Sequence, residues 1–218
     1  MISGVDEAGR GPVIGPLVVA GVAFENDVDL IKMGVKDSKK CTPKRRKYLS
    51  DLIKKLAIKY EVITINASDI DSMREIMTLN EIEVNAFSRI ISKLRPETCY
   101  VDSADVNDQR FGKNIISNLD YKPELISKHK ADEIYPIVSA ASILAKTIRD
   151  EVVERIENEL KKRLNQPLGS GYPADKITQD FLRAWLEKFN NLPPHTRYSW
   201  KTAKSLLQEK NNRKLEDF

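Results

Sequence analysis

Residues 4–12 read Gly4-Val5-Asp6-Glu7-Ala8-Gly9-Arg10-Gly11-Pro12, an apolar run that ends in two adjacent carboxylates and a glycine loop. Its flanks decide the fold class. Ile2 to Asp6 and Leu17 to Phe24 are short, β-branched and apolar, with turn residues between them, which predicts two strands joined through residues 9–16. Moving outward, Tyr60 to Asn66 alternates as a third strand, and Thr98 to Asp102 and Glu124 to Ser127 read as two more. Helical signals separate them. Thr42 followed by Pro43 is an N-cap and first helical position, ahead of Tyr48, Leu49, Leu52, Ile53 and Leu56 at helical spacing. Further helices are expected from Ser68, from Thr78 to about Leu94, around Asp108 to Leu119, and from Ile137 to Arg163. Thr178 to Phe189 and Trp200 to Lys214 complete the set. The pattern is α/β: a five-stranded mixed sheet flanked by helices, with a helical C-terminal extension.

The chain has 218 residues, 41% of them hydrophobic, enough for a sizeable core. No stretch resembles a signal peptide and no apolar run could span a bilayer, so we expect a cytoplasmic protein with no membrane contact. Cys41 and Cys99 form no metal-binding pattern with His129 and His195 and are read as reduced, structural thiols. The net charge of +4 is mild, but the basic residues cluster. Lys36, Lys39, Lys40, Lys44, Arg45, Arg46 and Lys47 face one acid, Asp37, in a density that suits a nucleic-acid backbone. Lys161 to Arg163 is read as a solvated helix end.

The chemistry lies in the acids. Asp6 with Glu7, and Asp102, close strands, while Asp132 stands between a strand and the long helix. Ligands of α/β sheets collect where strands finish, and carboxylates suit hard divalent cations. A lone acid at a strand end is commonly a cap or an ion-pair partner; four beside a glycine loop and basic patches point to a metal. Asp6 and Glu7 would leave opposite faces of a regular strand, so a shared site requires the strand to end, bulge or twist between them. Gly9, Gly11 and Gly15 miss the GxGxxG spacing, which argues against dinucleotide binding.

Five blocks carry a resemblance: Asp6 to Ala20 (DEAGRGPVIGPLVVA), Asp37 to Lys40 (DSKK), Tyr100 to Ser103 (YVDS), Lys128 to Asp150, and Ser170 to Asp175 (SGYPAD). In this order they resemble type 2 ribonuclease H in its archaeal form, along nearly the whole chain. The resemblance implies a ribonuclease H-like fold; we expect a catalytic domain over residues 1–165 and a C-terminal helical region over 166–218 packed on or beside it, with no firm boundary between them. It implies cleavage of the RNA strand of RNA–DNA hybrids and nicking on the 5′ side of single ribonucleotides in duplex DNA, leaving 3′-hydroxyl and 5′-phosphate ends. By similarity Asp6, Glu7, Asp102 and Asp132 are the catalytic and metal-binding acids, serving two Mg2+ or Mn2+ ions. The loop Gly9-Arg10-Gly11 would read the ribose 2′-hydroxyl, and Tyr172 would pack against the sugar.

Ser38, Lys39 and Lys40 are expected on backbone phosphates. Ser139, Ser142 and Lys146, with Arg149, are candidates for substrate contact or for packing, Ser142, Lys146 and Arg149 lying at helical spacings. His129 is read as a solvated member of a basic turn rather than a general base. His195 is read as structural, Trp185 and Phe189 as core, and Tyr198 and Trp200 as packing for the last helix. Leu215 and Phe218 have part of the spacing of a sliding-clamp-binding peptide, with Asn212 in place of Gln; a frayed tail is the plainer reading. A monomer is expected. The alternatives weighed are a type 3 ribonuclease H, disfavoured by the Gly-Arg-Gly loop and Tyr172, and a non-catalytic hybrid-binding module, disfavoured by the four acids.

Overall fold

A computed structural model describes residues 1–35 and 41–216, the last four of them as backbone. The five expected strands are present: β1 (Ile2–Ala8), β2 (Leu17–Phe24), β3 (Lys59–Ile65), β4 (Thr98–Asp102) and β5 (Glu124–Lys128). They form one mixed sheet in the order β3-β2-β1-β4-β5. β1 runs antiparallel to β2, from Ile2 opposite Phe24 to Ala8 opposite Val18. It runs parallel to β4 from Ile2 opposite Thr98 to Val5 opposite Val101. β4 is parallel to β5, ending with Asp102 opposite Lys128.

Nine helices occur among the described residues: α1 (Val28–Met33), α2 (Pro43–Leu56), α3 (Ala67–Arg74), α4 (Leu79–Leu94), α5 (Asp108–Ser117), α6 (Ala131–Ile134), α7 (Pro136–Lys161), α8 (Lys176–Phe189) and α9 (Lys201–Glu216). Local chemistry explains their starts. Thr42 accepts from the Arg45 N–H with Pro43 as the first helical residue of α2. Thr78 and Glu81 form a reciprocal capping box at α4. Asn107 and Asp175 cap α5 and α8. The third helix begins after Asn66 rather than at Ser68. The short α1 and α6 escape periodicity because one or two turns hold too few apolar positions to form a stripe.

Contacts group the chain into two units that interleave along the sequence. The first comprises Met1–Ala8, Val18–Thr64 and Met77–Arg149. Within it, β2 is buried on both faces. Val18, Ala20 and Val22 pack with Leu49 and Ile53 of α2 and with Ile137, Ala141 and Leu144 of α7. On the other face Gly21 makes room for Ile90 and Leu94 of α4, and Phe87 of α4 meets Phe111 of α5 edge-on with ring centres 5.2 Å apart. Gly4 lets β1 approach the start of α7: a Cβ there would stand 2.3 Å from the Ile137 carbonyl oxygen. Cys99 is buried and unbridged, and burial pushes its thiol up to about 12.

The second unit comprises Gly9–Leu17, Ile65–Ile76 and Asp150–Phe218, so the helical region after residue 166 shares it with the glycine loop. Its interior contains Ile14, Val153, Ile156, Phe181 and Trp185, with Val13, Leu182, Leu192 and Ala203 in a neighbouring cluster. Trp185 and Phe189 meet with ring centres 4.5 Å apart, tilted by 44°, as their four-residue spacing predicts. No helix among the described residues is long and apolar enough to cross a membrane.

Candidate active site

Three of the four expected acids converge. One carboxylate oxygen each from Asp6, Asp102 and Asp132 lies within 4.8 Å of the others. Register explains the arrangement. Asp6 pairs with Ala20, and cross-strand partners share a face, so Asp6 looks toward the side covered by α7. Asp102 follows Val101, where the β1–β4 pairing ends, and lies one step past it. Its Oδ1 accepts the Ala131 N–H at 3.1 Å, at the first turn of α6. Lys130 enters that turn at a left-handed φ of 55°, and Asp132 is the second residue of α6.

Glu7 does not join the group. β1 neither ends nor bulges at Asp6: the ladder with β2 continues through Glu7 opposite Val19 and Ala8 opposite Val18. Regular alternation therefore turns Glu7 to the opposite face, where it is half-buried. Its backbone still contributes, because the Glu7 N–H donates to Asp6 Oδ1 at 2.7 Å.

Helix α7 braces the acids. The Lys146 ammonium donates to Ser142 Oγ at 2.6 Å and lies 3.8 Å from Asp132 Oδ2, while Ser142 hydrogen-bonds Asp6. Ser139 donates to the Asp132 carbonyl. Ser139 and Ser142 are fully buried, so Ser142 holds the Asp6 carboxylate from behind and Ser139 holds the backbone of Asp132. Burial first, and the Asp102 charge second, push the Asp6 carboxyl up to about 7 against Ser142, Lys146 and the Glu7 N–H, which pull it down. Three crowded carboxylates with all-oxygen donors fit a hard divalent cation, which would relieve that repulsion.

In the second unit the Gly9-Arg10-Gly11 loop is held by two residues that sequence reading did not connect with it. Arg197 is fully buried. It donates from Nη2 to the Gly9 carbonyl at 2.6 Å, from Nη1 to that of Arg10 at 2.9 Å and from Nε to that of Gly15 at 2.9 Å. Trp200 stacks under its guanidinium, 4.7 Å from the ring centre, and donates Nε1 to the Gly11 carbonyl at 3.3 Å. Arginine is a surface residue by default, and nothing near position 197 signals its burial. Tyr172 stands over Gly11: a Cβ at Gly11 would lie 3.5 Å from its ring. The Val13 N–H donates to the Gly171 carbonyl at 2.8 Å, tying the loop to the turn that carries Tyr172. Asp175 closes this turn, accepting from the Ser170 N–H and hydroxyl at 2.7 Å each, bonds that hold its carboxyl below the usual range.

Neither histidine belongs to the acid group. His129 Nε2 contacts the Val106 carbonyl oxygen at 3.1 Å. His195 pairs with Glu159 at 3.2 Å, and its carbonyl accepts the Gly15 N–H. Tyr198 is half-exposed, its N–H bound by Asp71 at 2.7 Å. Arg149 is buried in α7. Ser38, Lys39 and Lys40 lie outside the described residues, as do Phe218 and the side chain of Leu215.

The family model for Ribonuclease HII matches residues 3–203. The chain belongs to the ribonuclease HII family. The Ribonuclease HII of Methanococcoides burtonii is 45% identical over 215 residues, covering 95% of this chain and 99% of the relative. Among solved structures, the ribonuclease H2 from Pyrococcus horikoshii OT3 matches with a TM-score of 0.86 at 39% identity, over 95% of this chain and 97% of that one. Ribonuclease HII in the PCNA:RNase HII complex from Archaeoglobus fulgidus matches with a TM-score of 0.85 at 41% identity, over 94% and 96%. Membership makes the chain a hydrolase with ribonuclease H activity on RNA–DNA hybrids, a metal-dependent endonuclease.

Proposed function

We propose that this ribonuclease HII cuts the RNA strand of RNA–DNA hybrids and also nicks duplex DNA on the 5′ side of a single embedded ribonucleotide. The convergence of Asp6, Asp102 and Asp132 is the observation that carries the reading. These three acids would hold two divalent cations, Mg2+ or Mn2+, while Glu7 serves the site through its backbone N–H to Asp6. Such ions, when bound, supply water activation and charge stabilisation for phosphodiester hydrolysis. The side chains around them then have supporting tasks. The Asp102 carboxylate orients the turn bearing Asp132, and Ser142 and Lys146 hold Asp6 and Asp132 from the helix side. A side-chain nucleophile is not required, and the products are a 3′-hydroxyl and a 5′-phosphate.

Gly9, Arg10 and Gly11 recognise the ribose 2′-hydroxyl in this reading, and Tyr172 packs against the sugar. The closeness of the Tyr172 ring to Gly11, 3.5 Å from where a Cβ would stand, supports treating them as one recognition element. Ser38, Lys39 and Lys40 bind the phosphate backbone, the C-terminal tail including Leu215 and Phe218 docks a sliding clamp, and the enzyme acts as a monomer. The clamp assignment draws on the relative from Archaeoglobus fulgidus.

Cleavage-site mapping on DNA duplexes containing one ribonucleotide, in magnesium and in manganese, tests the reading. The expected product is a single nick immediately 5′ of the ribonucleotide in both metals. An intact duplex, alongside efficient cleavage of a continuous hybrid, would limit the enzyme to hybrids and remove the single-ribonucleotide activity.

A further inference from the structure

We infer that Arg197 is a positioning residue that sets the peptide planes of the Gly9–Gly11 loop for ribose recognition, with Trp200 as its partner. The inference rests on reading that loop as the recogniser of the 2′-hydroxyl.

Arg197 commits all three side-chain nitrogens to loop carbonyls, those of Gly9, Arg10 and Gly15. Its backbone N–H donates to a fourth, Val13, at 2.8 Å. Trp200 takes the carbonyl of Gly11. The carbonyls of residues 9, 10 and 11 are thus drawn toward one buried cation and the indole beneath it. In a planar trans peptide the N–H points opposite to the C=O of the same unit. Drawing in the Gly9 and Arg10 carbonyls therefore turns the Arg10 and Gly11 N–H groups away from Arg197. Successive N–H groups directed outward form a concavity for an electron-rich atom, such as a hydroxyl or phosphodiester oxygen. The guanidinium charge behind the carbonyls reinforces that polarity.

Only a planar fork suits this task. Guanidinium presents donors at fixed angles to several acceptors, whereas an ammonium is a point charge on a flexible stem. Lysine at this position would leave part of the carbonyl set without its donor and let the peptide planes rotate. A misplacement on the order of 1 Å at a recognition loop costs about a hundredfold when the contact is used in the transition state.

The test compares the wild type with Arg197→Lys and Trp200→Phe. Three quantities are measured in magnesium: kcat and KM on a duplex with one ribonucleotide, and the inhibition constant of the same duplex made entirely of DNA. The ratio of that inhibition constant to KM reports discrimination for the 2′-hydroxyl and does not depend on how much protein is folded. Thermal melting of each variant runs in parallel. Positioning predicts a fall in the ratio of about tenfold for Arg197→Lys. Trp200→Phe, which keeps an aromatic ring under the guanidinium and loses one hydrogen bond, should lower it about threefold. Should Arg197→Lys fail to fold, Trp200→Phe decides alone. Unchanged ratios beside a discriminating wild type would make Arg197 a purely structural residue and overturn the inference. A wild-type ratio near one would instead remove the recognition role of the loop, and the inference with it.

Discussion

The carboxylate of Asp102 accepts the backbone N–H of Ala131 at 3.1 Å, so the acid that ends β4 also holds the turn carrying Asp132. This double duty separates charge from shape. Asp102→Asn retains an oxygen acceptor for Ala131 and loses the negative charge. Nicking of an RNA–DNA hybrid in magnesium should fall by at least about a hundredfold, a weakened metal site costing more than a supporting contact. Urea denaturation should change by only about 1 kcal/mol. Near-normal nicking by the variant would sink the assignment of the acids.

Asp6 makes the metal-free protein sensitive to pH. Its carboxyl has an ordinary value of 3.8 and is raised to about 7 in the fold. Between these values the folded state binds the proton and the unfolded chain does not, so stability falls as pH rises through that window. Asp6→Asn should flatten the decline and raise the melting temperature at pH 8 by about 4 °C in chelator. Magnesium should stabilise the wild type by mass action and the variant much less. Equal magnesium shifts for the two proteins would take Asp6 out of the metal site.

Gly4 is where the strand bearing Asp6 meets the helix bearing Ser142 and Lys146. With a Cβ 2.3 Å from the Ile137 carbonyl oxygen, Gly4→Ala must displace backbone. We expect a loss of about 1–3 kcal/mol in denaturant titration, and a lower magnesium affinity because the brace moves relative to Asp6. A variant with wild-type stability would show that strand and helix are less closely packed.

Gly11 offers the opposite case. Its added Cβ would reach ordinary contact with the Tyr172 ring, at 3.5 Å. Gly11→Ala should therefore fold with stability within about 1 kcal/mol of the wild type. It should lose roughly tenfold to a hundredfold in kcat/KM on single-ribonucleotide duplexes, since the methyl occupies space beside the recognition element. Unimpaired kinetics would place the ribose elsewhere.

Much of this protein is legible in its residues alone. β2 and β4 are read at their observed limits, and α4 starts just after its cap Thr78 because the Thr78–Glu81 box acts within one helical turn. Such features depend on neighbours a few positions apart, and periodicity and capping report them directly. The ordered blocks around Asp6, Asp102, Asp132 and Tyr172 also indicate ribonuclease HII before any coordinates. What sequence left open was the relation between Asp6 and Glu7. Only the ladder to β2 decides it: pairing continues through Ala8, so Asp6 turns to α7 and Glu7 to the other face. Arg197 likewise belongs to tertiary structure alone. Its bond to Gly9 spans 188 positions, and a contact of that range leaves no period, spacing or composition to read. It arises because folding brings a cation with a rigid fork against a loop whose carbonyls need donors.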